Sequence, residues 1–176
     1  MMQPLFVIPI FRYECKNWID KKQKILEKID KTKYTRSSTE NFNSDRGNKN
    51  CNFKSNFIDI FSQEINQFCN EIGTNFKIID AWSVDYNQND FQGPHNHRSH
   101  SYSGILYVEY DSKEHEPTLF IAPWNDPIYD GTQLKFCTNV KEGTIIFFPS
   151  FLLHYAPLNK SNKKRIVASF DLLPTI

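Results

Sequence analysis

From residue 77 onward the chain is a succession of short apolar runs, and this pattern constrains the fold more than any other feature. Each run is rich in β-branched and aromatic residues and is followed by turn residues, as expected of strands in a sheet. The runs span residues 78–86, 102–110, 118–121, 133–137, 144–148, 152–155 and 165–172. An eighth short strand through His95 would complete a jelly roll, in which two facing sheets enclose a core.

The first 76 residues have a different pattern, which predicts helices. Apolar residues recur at helical spacing from Trp18 to Ile29 and again from Phe57 to Ile72, where Gly73 offers a C-cap. Between them, residues 35–55 are polar and predict a long loop with little regular structure. We therefore expect one mainly β domain over residues 1–176, with a helical support segment at 1–76 and a jelly-roll core at 77–176.

Charge and cysteine content argue against several classes of protein. The formal net charge of +1 gives no general attraction to nucleic acid or to membranes. None of the four cysteines forms a C-x-x-C pair, so a zinc ribbon or a thioredoxin motif is unsupported. No segment has the features of a targeting peptide or of a membrane span, and we expect a cytoplasmic protein with reduced, mostly buried thiols.

Three histidines give the strongest chemical signal. His95 and His97 are two residues apart, so in a strand both side chains can enter one cavity, and His154 follows in a distant strand-like run. Three such ligands leave open positions on a metal ion, which suits catalysis, and neutral imidazole binds iron, copper and zinc. Any one histidine alone would be better explained as a core or surface residue. His100 and His115 lack this support, and we assign them to the surface.

Arg165 opens the last predicted strand, 11 residues after His154. A guanidinium inside an apolar barrel needs an anionic partner, because a buried unpaired charge is very costly. Its planar fork suits a carboxylate held by two parallel hydrogen bonds. Taken alone, Arg165 would simply continue the solvated turn at residues 160–164. The spacing to His154 favours a carboxylate-binding role instead.

Taken in order, these motifs resemble the phage and marine-bacterial group of 2-oxoglutarate/Fe(II) oxygenases, which are related to prolyl 4-hydroxylases. The resemblance spans the whole chain and includes LFVIPI at 5–10, the H-x-H pair, SGILYV at 103–108, GTIIFFPS at 143–150 and RIVASF at 165–170. It implies a double-stranded β-helix (jelly roll, cupin-like) that binds Fe(II) and the cosubstrate 2-oxoglutarate. It also implies a dioxygenase that hydroxylates its substrate and releases succinate and CO2, in the host cytoplasm if a phage encodes the chain.

The resemblance also assigns roles to individual residues. His95 and His154 match the two metal-binding histidines, and Arg165 matches the basic residue that pairs with the distal carboxylate of 2-oxoglutarate. Tyr107 stands where related prolyl hydroxylases place a tyrosine near that carboxylate. Tyr86 is a further candidate for the cosubstrate pocket or its entrance.

Position 97 departs from the pattern of the wider superfamily, which is H-x-D/E followed by a distal histidine. Either His97 binds the metal, giving a three-histidine site, or a carboxylate from elsewhere does. Asp85 and Asp90 are the nearest such carboxylates, but strand geometry favours His97. Some related enzymes have Ala or Gly at this position, which leaves room for a halide ion. The imidazole of His97 is too large to leave that room, which argues against halogenation.

Two other functions remain open at this point. One is a three-histidine cupin dioxygenase that needs no cosubstrate, which His97 favours. The other is a non-enzymatic jelly-roll binding module, which the aromatic content of 15% favours. The primary substrate is equally open between a peptide or protein, with prolyl residues suggested by analogy, and a small metabolite. We expect residues 87–101 and 124–130 to border the pocket, and its apolar lining to come from Ile105, Phe120, Phe147 and Val167.

Overall fold

The computed structural model describes residues 7–38, 40–48, 52–97, 100–126, 128 and 130–175. Within them the chain forms two α-helices, one short 3₁₀ helix at Lys31–Lys33 and eleven strands. In chain order these are β1 (Phe11–Glu14), α1 (Trp18–Lys28), β2 (Thr35–Arg36), β3 (Asn43–Ser44), α2 (Phe53–Ile72), β4 (Phe76–Tyr86), β5 (Gln92–His95), β6 (Tyr102–Glu109), β7 (Leu119–Asn125), β8 (Thr132–Phe136), β9 (Thr144–Pro149), β10 (His154–Ala156) and β11 (Arg165–Pro174).

The strands form two antiparallel sheets. The larger sheet has the order β1-β9-β6-β11-β4-β3-β2, and the smaller has the order β5-β10-β7-β8. Residues of both sheets pack in one buried cluster between them. This arrangement confirms the predicted double-stranded β-helix, and β5 is the expected eighth strand through His95.

The larger sheet separates two cores because its side chains alternate between its faces. One face packs on the helices, where the ring of Phe147 stacks 4.3 Å from that of Phe68 and the ring of Phe170 lies 4.9 Å from that of Phe57. We call this the helix-side core. The opposite face meets the smaller sheet, where the ring of Phe120 lies 4.9 Å from that of Phe148. We call this second cluster the cavity-side core.

Helix α2 covers the larger sheet with one apolar face. Its buried apolar residues recur at spacings of three or four along the helix, at Phe53, Phe57, Phe61, Ile65 and Phe68. Burying one such ring stabilises the fold by roughly 1.5–3 kcal/mol. The helix ends at Gly73, whose left-handed conformation (φ 72°) favours glycine, as the sequence predicts.

The N-terminal segment, as far as the structure describes it, contributes three short strands in addition to the helices and the polar loop that the sequence predicts for residues 1–76. Strand β1 pairs with β9, and the two-residue strands β2 and β3 form a hairpin that extends the larger sheet beyond β4. Strands of two to four residues are too short to show a period in the sequence, and β1 pairs with β9, which lies far along the chain. In the part of the chain that the structure describes, no helix is both long and apolar enough to cross a membrane.

Candidate metal centre

Three histidines converge in the cavity between the two sheets. His95 ends β5 and is the register partner of His154, the first residue of β10, and their ring centres are 4.4 Å apart. His97 follows two residues after β5. One ligand nitrogen from each ring lies within 4.8 Å of the other two, which places three imidazoles around a single point.

The second nitrogen of each ring is held by an oxygen. The Nδ1 atoms of His95 and His154 each contact the carbonyl oxygen of the residue two positions earlier, at 2.9 Å. Nδ1 of His97 contacts Oδ1 of Asp171 at 2.6 Å. These acceptors favour the tautomer with hydrogen on Nδ1, which leaves the Nε2 lone pairs available to a metal ion. Nothing in the described part of the chain forms a hydrogen bond with the buried Nε2 atom of His97, so the residues present fit a metal ion.

The electrostatics of the cluster favour neutral imidazoles beside one carboxylate. Burial lowers the pKa of His95, and it lowers the pKa of His154 to about 3, with a further contribution from neighbouring His95. Burial raises the pKa of the Asp171 carboxyl, but the hydrogen bonds from His97 and Ser103 outweigh it and hold that pKa below its usual value. Near neutral pH, His95 and His154 are therefore in the form that binds metals.

Arg165 lies in the same cavity at the start of β11, and its side chain is almost completely buried. Its Nη1 donates to the carbonyl oxygen of Pro157 at 3.3 Å, while Nε is buried and has no hydrogen-bond partner within the described ranges. Among the residues that the structure describes, no carboxylate forms an ion pair with Arg165. A buried guanidinium with unused donors is well suited to bind an anion that enters from the cavity.

The two predicted tyrosines lie near Arg165 in different ways. Tyr86 lines the cavity, and its hydroxyl donates to Oε1 of Gln92 at 2.9 Å. Tyr107 is fully buried, and its hydroxyl accepts a hydrogen bond from the backbone N–H of Thr118 at 3.2 Å. Burial raises the pKa of both phenols, so both stay neutral and keep a hydroxyl hydrogen.

The two alternative carboxylates lie outside the histidine cluster. Asp85 pairs with Lys31 at 2.6 Å, and its register partner Ile166 belongs to the helix-side core. Asp90 accepts two hydrogen bonds from the guanidinium of Arg36, at 2.6 and 2.8 Å. Both carboxylates are thus used in ion pairs at a distance from the three imidazoles.

Two expectations about individual residues were wrong. His115 is buried rather than at the surface, because its ring accepts a hydrogen bond from the backbone N–H of Asp111 and contacts the carbonyl oxygen of Lys163. Phe147 belongs to the helix-side core, and it is the next residue, Phe148, that lines the cavity with Ile105 and Val167. His100 is only partly exposed, and its Nε2 lies 3.5 Å from Oδ2 of Asp171.

Four residues around the three histidines were not predicted from the sequence. Trp82 stacks on His97 with ring centres 5.7 Å apart, and the guanidinium of Arg46 lies 4.0 Å from the centre of the Trp82 ring. Asp171 and Ser103 hold the far side of the His97 ring. The signal for Asp171 was the two-residue alternation of β11, which puts it on the same face as Arg165.

Comparison with known proteins assigns the chain to a family. Residues 80–171, just over half of the chain, match the family model described as "Putative 2OG-Fe(II) oxygenase". The chain belongs to this family. It is therefore a 2-oxoglutarate-dependent dioxygenase whose metal and cosubstrate are Fe(II) and 2-oxoglutarate. The matched segment contains all three clustered histidines and Arg165.

Solved structures share the fold at low sequence identity. A Pseudomonas putida prolyl-4-hydroxylase is 12% identical with a TM-score of 0.62, and the match covers 96% of this chain and 94% of the other. A viral collagen prolyl hydroxylase from Paramecium Bursaria Chlorella virus-1, in a 2OG complex, is 12% identical with a TM-score of 0.58, covering 95% and 96%. HygX from Streptomyces hygroscopicus, with nickel, 2-oxoglutarate and hygromycin B bound, is 9% identical with a TM-score of 0.66, covering 96% and 84%. No curated protein matches the chain in sequence.

Proposed function

We propose that this oxygenase is a hydroxylase in which His95, His97 and His154 hold Fe(II) and Arg165 anchors the distal carboxylate of 2-oxoglutarate. The observation that supports it is a single cavity lined both by the three imidazoles and by a buried arginine, which has no carboxylate partner among the residues that the structure describes. A metal site alone would not need the arginine. An arginine alone would not need three converging histidines.

The division of work among the residues follows from their contacts. The three Nε2 atoms would bind the ion on one side and leave its other side to the cosubstrate and O2. Arg165 would orient 2-oxoglutarate through two parallel hydrogen bonds. Tyr107 accepts from Thr118 and so keeps its own hydroxyl hydrogen for the same carboxylate. When bound, Fe(II) supplies the activation of O2, coupled to loss of CO2 from 2-oxoglutarate, that this family uses.

We further propose prolyl residues in a peptide or protein as the first substrate class to test. The support is analogy, since two of the structural neighbours are described as prolyl hydroxylases. A panel of proline-containing peptides should yield one that gains a single oxygen atom by mass spectrometry. The gain should require Fe(II) and 2-oxoglutarate together, and a panel with no oxidised peptide would contradict this substrate class.

Anaerobic reconstitution tests the metal and the cosubstrate together. Adding Fe(II) and then 2-oxoglutarate should produce the weak visible charge-transfer band of a chelated 2-oxo acid. The band should be absent with Fe(II) plus succinate, which lacks the keto group. If wild-type protein binds Fe(II) but gives no band with 2-oxoglutarate, the cosubstrate site is not the one proposed.

The three-histidine set favours one other function, a dioxygenase that needs no cosubstrate. Family membership and the position of Arg165 in the same cavity support 2-oxoglutarate instead. Succinate release separates the two. Release of one succinate per O2 consumed is expected, whereas oxygen uptake without succinate would favour the second function.

A further inference from the structure

Asp171 is a completely buried carboxylate on the cavity-side face of β11, directly opposite Ser103 of β6. Its Oδ1 atom accepts a hydrogen bond from the hydroxyl of Ser103 at 2.7 Å and contacts Nδ1 of His97 at 2.6 Å. Removing a carboxylate from water is costly, and hydrogen bonds of good geometry must offset that cost. The position of Asp171 therefore needs an explanation.

Asp171 lies on the side of the His97 ring that faces away from the other histidines. It contacts Nδ1, whereas the Nε2 atom of the same ring is the buried atom without a partner. The carboxylate is thus one imidazole away from the point where the three rings meet. It does not belong to the group of candidate metal ligands.

The orientation of the His97 ring depends on Asp171 more than the orientation of His95 or His154 depends on any side chain. His95 and His154 are strand residues, and each ring is fixed by a nearby backbone carbonyl. His97 lies beyond the end of β5 and is held at two points. Its backbone N–H donates to the carbonyl oxygen of Ser150, and its ring is held by Asp171. The hydroxyls of Ser150 and Ser103 are 2.8 Å apart and complete the network.

We propose that Asp171 is a positioning residue that acts through His97, fixing its ring for the metal and supplying the negative charge that three neutral imidazoles lack. This inference rests on the proposed metal site. Three neutral histidines with one adjacent carboxylate carry the same formal charge as two histidines and a direct carboxylate ligand. A carboxylate behind a ligand histidine also makes that histidine a better electron donor.

Two further side chains approach the other oxygen of Asp171. Arg46 approaches Oδ2 at 3.7 Å, and its side chain is 45% exposed, so water screens it. His100 approaches the same oxygen at 3.5 Å from a partly exposed position. The hydrogen bond with His97 is the shortest of the three contacts, and both of its partners are buried.

Titration of the whole protein with Co(II), followed by its visible absorption, tests the proposal without turnover. Asp171→Asn keeps the shape but removes the charge, and it should weaken Co(II) binding by roughly 10–100-fold. It should also raise the Fe(III)/Fe(II) midpoint potential, because loss of a negative charge favours the reduced ion. Asp80→Asn is the matched control. Asp80 is the register partner of Asp171 on β4 and is not bonded to His97 in the described part of the chain. Its substitution should leave both values near wild type.

Repeating the Asp171→Asn substitution in a His97→Asp variant distinguishes a role of Asp171 through His97 from a merely structural role. In a His97→Asp background the ligand itself would be a carboxylate, so Asp171 would become a second, repelling charge. There, Asp171→Asn should leave Co(II) affinity unchanged or raise it. Should Asp171→Asn fail to fold, Asp171→Glu serves instead: it retains the charge but moves the oxygen, so affinity should fall while the potential stays near wild type.

The outcomes are distinct from those that test the proposed function. Wild-type protein that binds no Co(II) would overturn the metal site itself, and the role of Asp171 with it. Wild-type binding with an equal affinity and potential in Asp171→Asn would overturn only the role of Asp171. Equal weakening in both backgrounds would also overturn it, because the effect would then not pass through His97.

Discussion

Arg165 and Tyr86 face each other across β11 and β4, with the guanidinium carbon 5.0 Å from the centre of the tyrosine ring. The aromatic face offers the cation a favourable but weak contact and does not replace a carboxylate. Both residues line the cavity that holds the three histidines. The pair thus presents a buried cation to whatever anion enters from the metal side.

Replacing Arg165 should weaken binding of 2-oxoglutarate far more than it weakens the fold. We expect Arg165→Ala to raise the apparent KM for 2-oxoglutarate by about 100-fold or more, since hydrogen bonds to a charged group contribute about 1.5–3 kcal/mol each. Arg165→Lys keeps the charge but loses the planar fork and should have an intermediate effect. Steady-state kinetics at saturating Fe(II) measures both, and an unchanged KM in Arg165→Ala would refute the anchoring role.

Removing one of the clustered histidines should remove the metal. His154→Ala should lower bound iron from about one ion per chain to near zero, because only two of the three proposed ligands would remain. His115→Ala is a matched control, since His115 is also buried but lies outside the cluster. Its iron content should stay at the wild-type level. Metal analysis after anaerobic loading and desalting gives the answer, and stoichiometric iron in His154→Ala would disprove the ligand set.

The metal-free protein should lose stability in acid because of His154. Its pKa in the folded protein, about 3, lies below the 6.5 of an ordinary histidine because burial disfavours the charged ring. Above pH 6.5 the His154 ring is unprotonated in both the folded and the unfolded protein. Below pH 6.5 the ring takes up a proton in the unfolded protein but not in the folded protein, so the unfolded protein binds one more proton. Stability should therefore fall by up to about 1.4 kcal/mol per pH unit until the folded ring also titrates.

Urea unfolding at about pH 7.5 and about pH 5 measures this effect. Over that interval His154 should account for about 2 kcal/mol of lost stability. A neutral residue of similar size, as in His154→Gln, should remove this part of the pH dependence. The same acid sensitivity in the variant would show that other groups cause it.

Gly104 is needed for packing in the helix-side core. A Cβ atom at this position would overlap the ring of Phe170, its register partner on β11. Gly104→Ala should therefore destabilise the protein by about 1–3 kcal/mol in denaturant unfolding. Adding Phe170→Leu should recover part of that loss by making room for the methyl group. A double variant no more stable than the worse single variant would argue against steric overlap as the cause.

Much of this fold follows from patterns that a sequence displays directly. The strand runs from residue 78 onward and the helix ending at Gly73 depend on local periodicity, and the structure confirms them. The same periodicity singled out His95, His97 and His154, which the structure brings together, while their binding of Fe(II) stays a prediction. Strands as short as β2 and β3 carry too few residues to show a period.

The residues that escaped prediction depend on distant contacts. Asp171 matters because of Ser103 and His97, which lie about 70 residues earlier in the chain. Trp82 stacks on His97 through the close approach of two separate segments. His115 is buried and forms hydrogen bonds with backbone atoms. No local pattern in the sequence predicts these hydrogen bonds. Such contacts follow from tertiary packing and not from local periodicity.

Strand β11 joins two requirements in one stretch of chain. Arg165, Val167 and Ser169 line the cavity, and Asp171 continues that face of the strand behind His97. Ile166, Ala168 and Phe170 point the other way and belong to the helix-side core. Inserting or deleting one residue within the strand would exchange these two sets at once. We therefore expect natural variants of this protein to keep the strand at the same length. A one-residue insertion or deletion would disturb the hydrophobic core and the proposed active site together.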